Sequence, residues 1–241
     1  MTDTAVVIGA GEGTGAAVAR AFAAEGLTAC VSRRPRHADA LDALVHEIEA
    51  AGGRAAALPA DARDEAEVAR VFAEAEAIGP VAVAVFNVGA NVRFGVSETT
   101  ERVYRKVWEM AALAGFLTIR EAARVMRPRG RGTIIATGAT ASVRGAAGFG
   151  AFAAAKHALR ATAQSAAREL GPGGIHVAHV IIDGMIDGAF IRDNVPGAAD
   201  LLAEDKLLRP EDIAAEYVRL HRQPRSAWTF ECDLRPYAEA W

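Results

Sequence analysis

The chain has 241 residues, 51% of them apolar and 24% charged, which is ordinary globular composition and enough for one well-buried α/β domain. A net charge of -3, with no long block of one sign, points away from nucleic acid and anionic membranes and toward a small-molecule partner. The apolar runs fall far short of the roughly 20 residues of a membrane helix, residues 1–4 lack the basic flank of a signal peptide, and Cys30 and Cys232 suggest neither a disulfide framework nor a metal site, so a cytoplasmic, metal-free protein is expected.

Strand-like runs recur at Thr4–Ile8, Thr28–Ser32, 55–59, 81–87, 133–137 and 176–182, with helical patterns between nearly all of them. Such alternation predicts a parallel sheet covered on both faces. The first strand runs into Gly9, Gly11, Gly13 and Gly15, interleaved with Ala10, Glu12 and Thr14, before a helical pattern begins at Ala16. Glycines at 9, 13 and 15 let the backbone bend and approach a ligand, and the following helix N-terminus offers N–H groups to a pyrophosphate. Leu41, Leu44, Val45 and Ile48, then Val68, Val71, Phe72 and Ala75, form two helical stripes that pack on the sheet. Alanine-rich helical stretches follow at 101–126 and 152–170, ended by Arg-Pro-Arg-Gly and Gly-Pro-Gly-Gly. Residues 184–206 have weak periodicity and lie just after the last core strand, a place that suits either a lid over a site or a plain surface loop.

Taken together, these residues resemble the short-chain dehydrogenases/reductases over nearly the whole chain. Gly9, Gly13 and Gly15 match that family's GxxxGxG cofactor loop, in which Gly11, Glu12 and Thr14 also stand. Asp61, with Ala62 beside it, follows the third strand where the family places an aspartate against adenine. Asn87-Val88-Gly89 looks like the Asn-Ala-Gly turn, and Lys156 matches the lysine of the Tyr-x-x-x-Lys motif. The resemblance implies a Rossmann-type, doubly wound parallel sheet of about seven strands in a single domain over 1–241, a bound nicotinamide dinucleotide, and a homotetramer or homodimer. At the end of the second strand Arg33 and Arg34 stand where an acid would bond the ribose of NAD, which favours NADP over NAD; Glu12 in the loop argues the other way unless an arginine neutralises it.

The family's chemistry is a hydride transfer assisted by tyrosine, lysine, serine and asparagine side chains. Here the tyrosine position is Phe152, the serine position Ala139 and the asparagine position Ala111, groups with no proton to give. Lys156 remains, one helical turn after Phe152 and on the same face. Of the other polar candidates, Thr137, Thr140, Ser142, His157, His179 and Asp183, the last stands at the C-terminal end of a strand, where α/β ligands bind. Lys156 and Asp183 are therefore the candidate catalytic residues. Two expectations follow: an NADP(H)-dependent oxidoreductase of small carbonyls, imines or alcohols with a non-standard proton supply, or a protein that keeps the fold, with or without the cofactor, and performs no redox step, as a cofactor-binding or regulatory subunit or a non-redox catalyst.

Overall fold

The computed structural model describes residues 1–239; residues 240 and 241, which the expected 1–241 domain includes, lie outside the described residues. The strands are β1 (Thr4–Ile8), β2 (Thr28–Ser32), β3 (Arg54–Ala57), β4 (Val81–Phe86), β5 (Gly132–Thr137), β6 (Ile175–Ile182) and β7 (Glu231–Leu234). They form one sheet in the order β3-β2-β1-β4-β5-β6-β7, and every neighbouring pair is parallel. The helices are α1 (Thr14–Ala24), α2 (Ala38–Ala50), α3 (Glu65–Ile78), α4 (Glu101–Trp108), α5 (Ala114–Met126), α6 (Gly150–Leu170), α7 (Ala189–Asn194), α8 (Ala198–Ala203) and α9 (Pro210–His221).

Strand side chains alternate between the two faces, and the core divides accordingly. Val7, Val31 and Val85 pack against Phe22 of α1, Leu41 and Leu44 of α2 and Tyr217 of α9. Val6, Phe86 and Ile134 point the other way, onto Val68 and Phe72 of α3, Leu117 of α5 and Leu159 of α6. The chain winds outward from β1 to β3 and then crosses to β4 on the opposite side of β1. Strand order therefore reverses between β1 and β4, and the connections diverge there to leave a crevice beyond the strand C-termini.

Three local features depart from the sequence expectation. The helical stretch 101–126 is interrupted by a turn of π-helix at Glu109–Leu113, which carries Ala111 and Ala112 inward to buried positions. The strand expected at 55–59 is Arg54–Ala57: Leu58 still donates to Val31 O at 2.9 Å, but Pro59 has no N–H with which to extend the ladder. Within 184–206 the chain forms α7 and α8, and an isolated bridge joins Ile186 to Leu208.

Candidate active site

The glycine loop between β1 and α1 forms one wall of the crevice. Gly9, at φ 90°, lies so close to the β4 end that a Cβ there would stand 2.6 Å from Asn87 O. A Cβ on Gly15 would stand 2.3 Å from Gly9 O, whereas Gly13, at φ 91°, has open space where its Cβ would point. Gly9 and Gly15 thus permit backbone contact, while Gly13 turns the chain and keeps the cleft clear. Asn87 Nδ2 donates to Gly9 O at 3.2 Å and ties the two strand ends together. No side chain caps α1, so its first N–H groups remain available to an anion.

Beside this wall lies a cavity of about 260 Å³ lined by Arg33, Arg34, His37, Asp61, Ala62 and Arg63, among others. Burial and the neighbouring Arg36, Arg63 and Arg33 guanidinium groups push the Arg34 pKa down, against the opposing pull of Asp61. Partial desolvation and Arg33, Arg36 and Arg34 likewise lower that of His37. Like charges gathered at this spacing lower one another's affinity for protons, and an anion placed among them relieves the repulsion. Asp61 is already engaged: Arg63 Nε donates to its Oδ1 at 2.9 Å, and these hydrogen bonds hold its carboxyl below the usual carboxylate range. Among the described residues neither Arg33 nor Arg34 forms an ion pair, and Glu12 is exposed without one. The Arg33 guanidinium lies instead over Gly11, 3.4 Å from where a Cβ would be.

A second cavity, of about 760 Å³, continues from the first, sharing Gly11, Glu12, Arg33, Asn87, Val88 and Gly89 with it. An elongated cleft with cations at one end and an uncapped helix N-terminus in the middle fits a dinucleotide. Lys156 lines its far part, nearly buried; Nζ donates to Thr137 O at 2.8 Å and more distantly to Val88 O at 3.4 Å. Burial pushes its pKa down from 10.5 to about 8. The Phe152 ring, with its centroid 5.9 Å from Nζ, and Ala139 share the wall. Ala111 is buried in an apolar cluster with Ala112, Ala151 and Ala155, against which Phe152 packs. Hydrocarbon therefore fills the positions where the resemblance expects an acid, a donor and a water relay.

The remaining polar candidates are occupied. Thr140 donates its hydroxyl to Asp183, which also faces Arg235 at 3.4 Å and Arg144 at 3.6 Å; Asp183 is buried behind the cavity wall. Thr137 Oγ1 pairs with the buried Tyr217 hydroxyl at 2.8 Å, and Ser142 Oγ accepts from Ala139 N at 3.1 Å. His157 is exposed, with Nδ1 2.8 Å from Ala153 O. His179 is fully buried: Nδ1 lies 2.9 Å from a Glu231 oxygen, Glu231 in turn receives two hydrogen bonds from Arg160, and Nε2 has no hydrogen-bond partner among the described residues. Burial pushes the pKa of His179 down to about 4, so the ring is neutral at pH 7. The sequence reading passed over Arg63, Arg144, Phe149 and Phe190, all of which line the cavities. Arg63 stands two residues after Asp61, Arg144 two after Ser142 and Phe149 three before Phe152, whereas Phe190 lies apart from any recognised motif.

A family model described as short chain dehydrogenase matches residues 3–196. A short-chain dehydrogenase/reductase, eriH, of Hericium erinaceus is 31% identical over 219 residues, 88% of this chain and 87% of that protein. The crystal structure of a short-chain dehydrogenase from Rhodopseudomonas palustris is 51% identical, superposes with a TM-score of 0.84 and covers 98% of this chain and 99% of that one. A metagenomic short-chain oxidoreductase solved in complex with NADP is 25% identical, with a TM-score of 0.79 and 97% of each chain covered. No helix among the described residues is long and apolar enough to cross a membrane.

Proposed function

Because the chain belongs to the short-chain dehydrogenase family, we propose that it is an NADP(H)-dependent oxidoreductase of small carbonyl or imine compounds, with Lys156 as the proton source in place of a tyrosine. The observation that carries the cofactor preference is the gathering of Arg33, Arg34, Arg36 and His37 at one end of the cleft, which suits a 2′-phosphate and leaves a plain ribose hydroxyl amid unrelieved charge. The NADP bound to the metagenomic relative agrees with it.

When bound, the nicotinamide supplies or accepts the hydride. Gly13 and the α1 N-terminus hold the pyrophosphate, and Asn87, Gly89 and Lys156 border the path toward the reacting end. Lys156 Nζ keeps two of its N–H bonds on Thr137 O and Val88 O, which leaves the third for a substrate oxygen. An ammonium whose pKa is about 8 is still protonated near neutrality and gives up its proton far more readily than an exposed lysine. Phe152 and Ala139, which line the cavity beside it, offer that proton no competing side-chain acceptor. Asp183 acts through Thr140, as a positioning group rather than an acid.

A calorimetric titration tests the reading: NADPH is expected to bind about tenfold or more tightly than NADH, and Arg33→Ala with Arg34→Ala to remove most of that difference. A screen of ketones, aldehydes and imines on the same sample then follows NADPH absorbance. Binding of neither dinucleotide sinks the proposal. The hydrocarbon at Phe152, Ala139 and Ala111 favours a second reading, a cofactor-binding protein without a redox step, and tight NADPH binding with no turnover in any arm selects it. In that case Phe152→Tyr with Ala139→Ser is expected to bring carbonyl reduction back.

A further inference from the structure

Beyond Lys156 the larger cavity is walled by Phe149, Phe152, Ile186, Phe190 and Ile191, an apolar lining that suits an aromatic or alicyclic body. One cation enters this half of the cavity, Arg144, with its side chain 48% exposed. Among the described residues its one ion-pair partner is Asp183, at 3.6 Å, beyond hydrogen-bond distance. Asp183 does not depend on Arg144, because it accepts the Thr140 hydroxyl and faces Arg235 on its other oxygen. Arg144 can therefore turn its guanidinium fork to another carboxylate without leaving a buried charge unpaired, which removes the main cost of such an exchange. A second guanidinium, the exposed Arg93, stands over the Phe149 ring at 5.8 Å and has no carboxylate within ion-pair range among the described residues. Cationic groups at the rim of an apolar chamber attract anions and orient an anionic substrate with its apolar part inward.

From this arrangement we infer that the substrate is a carboxylate-bearing aromatic or alicyclic carbonyl compound, its ring against Phe149, Phe152 and Phe190 and its carboxylate on Arg144. The inference rests on the oxidoreductase reading only for the placement of the reacting carbonyl near Lys156; the recognition of the anion stands on Arg144 alone.

Binding of 3- and 4-acetylbenzoate and of the matching neutral acetylbenzamides to the NADPH-loaded protein is measured by calorimetry, with NADPH absorbance followed in parallel. At least one acetylbenzoate is expected to bind about tenfold more tightly than its amide. Arg144→Gln is expected to abolish that preference while leaving amide binding and the thermal midpoint unchanged, and Arg144→Lys to restore part of it. Equal affinity for acid and amide, no binding of either, or a preference that survives Arg144→Gln overturns the inference. A carboxylate preference without NADPH consumption supports the anion subsite and counts against the redox reading. Turnover of amide and acid at equal rate and affinity does the reverse.

Discussion

Lys156→Met removes the buried amine, and the pH dependence of stability is where its removal can be read most directly. In the folded chain burial holds the pKa of Lys156 at about 8, against an ordinary value of 10.5. Below pH 8 both states carry the proton and the desolvation penalty is fully present. As pH rises from 8 toward 10.5 the folded state has released the proton and the unfolded state has not, so stability rises. The whole shift corresponds to about 3 kcal/mol, of which about 1.3 kcal/mol develops between roughly pH 7 and 9. Cys30 and Cys232, pushed up by burial from 9.0 to about 12, work the other way, because the unfolded thiols ionise first. Each removes about 0.4 kcal/mol by pH 9, so the unaltered protein gains only about 0.5 kcal/mol over the same range. Subtracting the variant cancels the thiols, and the lost bonds to Thr137 O and Val88 O add only a pH-independent offset. Urea unfolding of both proteins without cofactor is therefore expected to show a gain of about 1.3 kcal/mol for the lysine form between about pH 7 and 9. Parallel curves would refute the desolvated placement of Nζ and, with it, the lowered pKa on which its role as proton source depends. Where that role holds, the rate of reduction falls as pH rises above about 8.

Gly138 and His179 form a matched pair, since a Cβ on Gly138 would stand 2.4 Å from His179 Nε2. Gly138→Ala is expected to cost about 1–3 kcal/mol by overpacking, and combination with His179→Ala to cost less than the two single changes summed, as a double-mutant cycle of urea melts would show. His179 also sets an acid limit. Its folded pKa of about 4 lies below the ordinary 6.5, so the unfolded chain takes up the proton first and stability falls as pH drops from about 6.5 to 4. The loss amounts to about 3 kcal/mol, and a urea series in which His179→Ala falls just as steeply would count against it.

The alternation of strand and helix patterns, the glycines at 9, 13 and 15, and the helical stripes of α2 and α3 were legible because they are local: period and composition reflect which face a residue turns to its nearest neighbours. Val45 shows the limit of that reasoning, being only half-buried at the stripe's edge. The edge strand β7, Glu-Cys-Asp-Leu, carries too little apolar pattern to be read from sequence and was implied only by family resemblance. The π turn at Glu109–Leu113 was likewise hidden in an alanine-rich helical stretch.

The site divides along the same line. Sequence by itself marked a candidate dinucleotide cradle, because a strand–glycine–helix turn is built from contiguous residues, and it showed that Phe152, Ala139 and Ala111 are side chains that hold no proton. Tertiary structure decided what surrounds them. It brought Asp61 and Arg63 to Arg34, set Thr140 and Arg235 on Asp183 so that this carboxylate serves as an acceptor behind the wall, and buried Lys156 deeply enough to lower its pKa. Charge and acidity depend on distances of a few ångströms between residues far apart in the chain, such as the 52 positions separating His179 from Glu231. Such distances exist only once the sheet has assembled.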